Sequence, residues 1–180
     1  SQRREAVEEA YAGDIIGFTT HGGVQLGDSI TDGPNLQFTG LPFFAPEMFM
    51  TVVLKNPLRT KQLQQGLMQL GEEGAIQVFK PDAGGNMLLG AVGQLQFEVM
   101  ADRLGGEYAL DVIFEPAPYA EARWLSGDKA DIEDFASKHR TFMAQDIDEQ
   151  PVYLAKSAWD INYVAERFQK VGFERTKERA

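Results

Sequence analysis

Residues 48 to 115 decide the fold: MFMTVVL (48–54), NPLRTKQLQQGLMQLGEEG (56–74), AIQVF (75–79), KPDAGGN (80–86), MLLGAVG (87–93), QLQFEVMADRL (94–104) and GGEYALDVIFE (105–115). Phe49 to Leu54 is β-branched and apolar, as a strand is. Pro57 suits the first turn of a helix, because its missing N–H would have no partner there anyway. Leu63, Leu67 and Leu70 then recur at i, i+4 and i+7 and form one apolar stripe. Gly71 and Gly74 supply its stop. Ala75 to Phe79 and Met87 to Val92 are strands joined by the turn-forming run 81–86. Gln94 to Leu104 is a second helix with Phe97, Met100, Ala101 and Leu104 on one face, ended by Gly105-Gly106. From Tyr108 to Glu115 apolar residues alternate, which is strand periodicity. The order β-α-β-β-α-β is the ferredoxin-like arrangement. It puts two helices on one face of an antiparallel sheet and leaves the other face for a neighbour.

On the C-terminal side, residues 116–180 continue in α/β alternation. Glu121 to Leu125 and Val152 to Lys156 read as strands, and 128–139 as a helix with Ile132, Phe135, Ala136 and His139 in register. Asp160 is placed to cap a helix carrying Ile161, Val164, Ala165 and Phe168, and Val171 to Glu174 closes the sheet. Residues 48–180 therefore form one α+β domain in two parts, 48–115 and 116–180. On the N-terminal side, 34–47 holds three prolines beside Phe38, Phe43 and Phe44. Prolines keep such a segment extended. With Phe49 these rings are candidates for packing between domains, and an exposed aromatic partner site is the other reading. Residues 1–33 read as two short strands, 14–20 and 24–30, around the His21-Gly22-Gly23 turn. Two strands cannot bury a core alone.

Composition narrows the chemistry. The chain has 180 residues, 27 acidic and 17 basic, a formal charge of −10 and no cysteine. Thiolate metal sites, disulfides and cysteine nucleophiles are excluded, and so is a nucleic-acid coat, which needs a basic face. Neither a P-loop nor a GxGxxG is present. The turn Gly90-Ala91-Val92-Gly93 could meet an anion through free N–H groups, or could simply allow a tight strand-to-helix turn. Two histidines, His21 and His139, supply no triad and no metal set. Asp146-Ile147-Asp148-Glu149 looks like part of a calcium loop but lacks its glycine and distal glutamate. The segment 167–179 is locally basic. Arg167, Lys170, Arg175, Lys177 and Arg179 are candidate contacts for RNA phosphate, and a solvated tail is the alternative. No apolar run is long enough to span a membrane.

Several stretches resemble a known family. GAVGQLQFEVMADRL (90–104) resembles the second helix of the ferredoxin-like third domain of translational GTPases, and 12–18 with 26–30 resembles the closing strands of their β-barrel second domain. Within that superfamily the segments 33–49 (GPNLQFTGLPFFAPEMF), 69–79 (QLGEEGAIQVF), 122–124 (ARW), 152–155 (VYLA) and 173–178 (FERTKE) are similar to the peptide chain release factor 3 family. The resemblance implies a non-catalytic C-terminal region of a cytoplasmic GTPase that recycles class I release factors on the ribosome. The nucleotide domain, and with it GTP or GDP and magnesium, would then belong to the whole protein rather than to these residues. Ribosomal protein and RNA are the implied partners, and unpaired barrel strands would either fold back onto the C-terminal domain or pair between chains as a strand-exchanged homodimer. An elongation factor G-like third domain and a ferredoxin-like module binding a small ligand are the alternatives.

Overall fold

The structure is a computed structural model that describes residues 8–17, 19, 24, 28–34, 36 and 42–178. Its elements are β1 (Pro42–Phe44), β2 (Met48–Leu54), α1 (Thr60–Glu72), β3 (Gln77–Pro81), β4 (Leu88–Ala91), α2 (Gln94–Tyr108), β5 (Val112–Pro116), β6 (Glu121–Gly127), α3 (Lys129–Lys138), β7 (Met143–Gln145), β8 (Pro151–Ala155), α4 (Ala158–Arg167), β9 (Val171–Glu174) and β10 (Thr176–Glu178). Eight strands form one antiparallel sheet in the order β5-β2-β4-β3-β7-β8-β6-β9, and β1 and β10 make a separate ribbon. The fold is α+β. The β-α-β-β-α-β order of 48–115 is present, with β5-β2-β4-β3 as its spatial order.

Alternation along the strands sorts the apolar side chains into three cores. Val52, Val78 and Leu89 pack with Leu63, Leu67 and Leu70 of α1 and with Phe97, Met100 and Leu104 of α2. Leu125, Met143, Tyr153 and Ala155 pack with Phe135 of α3 and with Ile161 and Val164 of α4. The residues next to them in sequence point the other way. Phe49, Phe79, Leu88, Trp124, Ala144, Val152 and Leu154 make a third core shared by both halves. The sheet thus curls on itself, and the neighbour that covers the free face of the first part is the second part of the same chain. The halves are hydrogen-bonded through β3 and β7, with Lys80 opposite Gln145 and Pro81 opposite Ala144. Gly90 lies on this inner side, where an added Cβ would come within 2.5 Å of the Pro46 ring and 2.8 Å of Phe79.

Three local expectations need correction. The second helix does not stop at Gly105-Gly106 but runs to Tyr108 and ends at Ala109, whose φ of 52° is left-handed. The Leu110 N–H then bonds back to the Leu104 carbonyl, which satisfies a terminal acceptor. Tyr108 is held because its ring lies 3.1 Å from where a Cβ on Gly66 of α1 would be. Gly71 lies inside α1, close against Val78 and Ile147, and Gly74 (φ 72°) makes the turn. Ser157, not Asp160, caps α4. Its hydroxyl accepts the Asp160 N–H at 3.3 Å and donates to the Asp160 carboxylate at 2.8 Å. The described residues of 14–20 and 24–30 carry no strand, and Ile15, Ile16, Val24 and Ile30 are exposed. A strand needs a bonded neighbour, and the described chain provides none there. His21 and the other residues of that turn lie outside the described residues.

Candidate interaction surfaces

The ribbon is the first site that sequence did not disclose. Phe44 pairs with Thr176 and Phe43 with Lys177, so the chain entering the domain is zipped to the chain leaving it. Two contacts pin the ribbon to the body. The Gln77 side-chain amide donates to the Phe44 carbonyl at 2.6 Å, and the Lys177 ammonium lies between the carboxylates of Asp146 and Asp148. Lys177 is 9% exposed and Asp146 6%. Asp146 also accepts the Trp124 indole N–H at 2.9 Å and the backbone N–H groups of Asp148 and Gln150 at 2.9 and 3.0 Å. The acidic turn 146–149 is therefore an anchor for a lysine. Among the described residues no cluster of three or more metal-ligating side chains occurs.

Beneath the ribbon lies a cavity of about 380 Å³ whose walls include Phe43, Phe44, Ile76, Val78, Ala91 and Trp124. Gln77 also lines it, and the Oε1 of that side chain is buried without a hydrogen-bond partner. The Gly90–Gly93 turn offers no anion cradle. The Gln96 side chain accepts the N–H groups of Val92 and Gly93 at 2.9 and 3.3 Å, so those donors at the start of α2 are spent.

The basic candidates do not form one cluster. Lys177 is enclosed as described, with its ammonium also 5.9 Å from the Trp124 ring. Arg167 and Lys170 follow one another at the end of α4. Lys170 is 81% exposed, with Asp131 3.8 Å away. Arg175 is exposed, and its carbonyl accepts the Ala45 N–H at 2.8 Å. Arg179 lies outside the described residues. Of the aromatic candidates, Phe49 is buried between the two halves, 6.2 Å from the Phe79 ring. Phe43 is half-buried and Phe44 exposed, both at the ribbon, and Phe38 lies outside the described residues. His139 stacks on Phe135 at 4.2 Å, a packing role.

The exposed side of α4 carries what sequence reading missed. Trp159 stacks on Tyr163 with centroids 5.0 Å apart, and the Arg167 guanidinium lies 4.2 Å from the Tyr163 ring. The spacing i, i+4, i+8 is the available signal. It is masked by Ile161, Val164, Ala165 and Phe168, which claim the helix for the core.

Residues 38–165 match the family model described as Class II release factor RF3, C-terminal domain. The chain belongs to that family. Relatives called peptide chain release factor 3 agree with it: one from Nitrosomonas eutropha is 50% identical over all of this chain and 34% of its own length. Others from Bordetella pertussis and Aromatoleum aromaticum are 51% and 49% identical over 99% of this chain, covering 34% and 32% of their own lengths. The chain spans about a third of the curated relatives it matches. The matched residues run from Phe38 into α4, so they take in the shared inner core and stop before β9 and β10. No helix among the described residues is long and apolar enough to cross a membrane.

Proposed function

We propose that this chain is the non-catalytic, ribosome-contacting region of a release-factor-recycling translational GTPase, and that it helps the whole protein eject class I release factors during translation termination in the cytoplasm. The observation that carries this reading is the family match over 38–165 on both halves of the domain. On this reading GTP or GDP, with magnesium, is bound by a domain of the whole protein that these residues do not form. The chain's part is to position that domain against the small ribosomal subunit. Its acidic surplus complements basic ribosomal protein. Arg167, Lys170 and Arg175, joined by Arg179, are the cations offered to ribosomal RNA, and enclosed Lys177 serves the fold instead. Packing against the preceding domain falls to Phe43, Phe44 and Phe38. The exposed Ile15, Ile16, Val24 and Ile30 support a strand-exchanged homodimer when this chain is made alone.

The test has two arms. A fluorescent GTP or GDP analogue titrated into the chain gives no binding; measurable affinity overturns the non-catalytic assignment. In the full-length factor, Arg167→Glu with Arg175→Glu weakens ribosome binding. It also flattens the salt dependence by about one unit of log–log slope for each phosphate that is no longer neutralised. An unchanged slope removes these arginines from the interface.

A further inference from the structure

We propose that the Trp159–Tyr163–Arg167 column on α4 is a stacking platform for one unpaired RNA base. The proposal rests on the reading above only for where RNA is met. Trp159 is 66% exposed and Tyr163 38%. Tyr163 covers one side of the indole, with the rings 22° from parallel, and Arg167 covers Tyr163 in turn. The column is therefore pre-ordered, and stacking onto Trp159 spends little side-chain entropy.

The size of the patch selects the partner. Between residues 117 and 178, Trp159 and Tyr163 are the only exposed large apolar side chains among the described residues. A stable protein interface needs roughly 800 Å² per partner around an apolar centre, and two rings do not supply that. They do match a single base, which needs one flat apolar face. Charge points the same way. The Arg167 guanidinium lies 4.2 Å from the Tyr163 ring, itself 5.0 Å from the Trp159 ring, and Lys170 follows just beyond the end of α4. A strand whose base rests on Trp159 can bring a phosphate of a neighbouring nucleotide to them. Stacking plus backbone cations is how unpaired nucleic acid is bound, whereas a duplex keeps its base faces covered.

The experiment titrates a single-stranded 8-mer RNA, and the same sequence as a duplex, into the full chain while following tryptophan emission. Trp124 is 4% exposed, so quenching reports Trp159. The single strand quenches, and Trp159→Ala weakens its binding by roughly 5- to 100-fold while the duplex is little affected. Trp159→Phe, which keeps a ring, restores most of the affinity. Because Trp159 is exposed, both variants keep the unfolding midpoint of the parent. Equal binding of single strand and duplex, or a Trp159→Ala chain that binds the single strand as well as the parent, overturns the platform. Ribosome binding that disappears in Trp159→Ala without any quenching by RNA overturns it in favour of a protein partner. If Arg167→Glu with Arg175→Glu lowers the salt slope on ribosomes and Trp159→Ala changes nothing, the ribosomal reading stands and the platform fails.

Discussion

Replacing Asp146 by alanine tests whether the ribbon is held by a buried ion pair. Asp146 accepts four donors: the Lys177 ammonium, the Trp124 indole N–H and the backbone N–H groups of residues 148 and 150. Alanine leaves Lys177 enclosed with Asp148 alone, at 2.5 Å and 33% exposed, and leaves the indole N–H without its acceptor. Breaking one side of a buried pair costs about 3–5 kcal/mol, because a desolvated charge stays behind. Asp148 keeps part of the compensation, which puts Asp146→Ala near the lower bound, about 3 kcal/mol. That is a large share of a typical domain stability of roughly 5–15 kcal/mol. Urea unfolding followed by tryptophan emission reads it. Lys177→Met, which removes the cation and its need for a partner, costs less than Asp146→Ala, and the double variant is milder than the sum of the two. A cost for Asp146→Ala below about 1 kcal/mol, the range of a surface pair, with no coupling to Lys177→Met, would refute the anchor.

Two further outcomes are expected. Burial raises the Tyr153 hydroxyl above its ordinary value of 10.0, with the Asp160 charge adding to it. The unfolded chain then ionises first, so the stabilisation from Tyr153 is intact below about pH 10 and is lost as pH rises beyond it. Urea midpoints at pH 8 and 10.5 fall further for the parent than for Tyr153→Phe, and equal falls remove this account. Light scattering gives a dimer for the full chain and a monomer once residues 1–33 are removed; a monomer in both cases removes the strand-exchange idea.

Periodic features are legible in the sequence because they obey one local rule each. The Leu63–Leu67–Leu70 stripe is buried to 5% or less, and the alternation in β6 and β8 sorts side chains between two cores. Features that depend on a distant partner are not legible. β7 is three residues long and exists because β3 and β8 flank it. Gly105-Gly106 has the composition of a stop, yet packing of Leu104 and Tyr108 carries α2 past them, and the left-handed residue is an alanine. Lys177 reads as basic tail because its carboxylates lie 31 and 29 residues back in the chain. The same blindness hides the α4 column in the opposite way: with four residues of the helix assigned to the core, the polar side reads as solvent-facing.

The two ends of the described domain meet in one place. Pro42 opposes Glu178 and Phe44 opposes Thr176, so a pull on the segment before Pro42 is transmitted to β10 as well as to β2. The ribbon has only three paired positions, and a two-stranded element that short has little stability of its own. It stays closed because Lys177 and Gln77 fix it to opposite halves: Asp146 follows β7, and Gln77 starts β3. Those halves share the Phe49–Phe79–Trp124 core. The Lys177–Asp146 and Gln77–Phe44 contacts therefore tie both ends of the α+β unit to that one core.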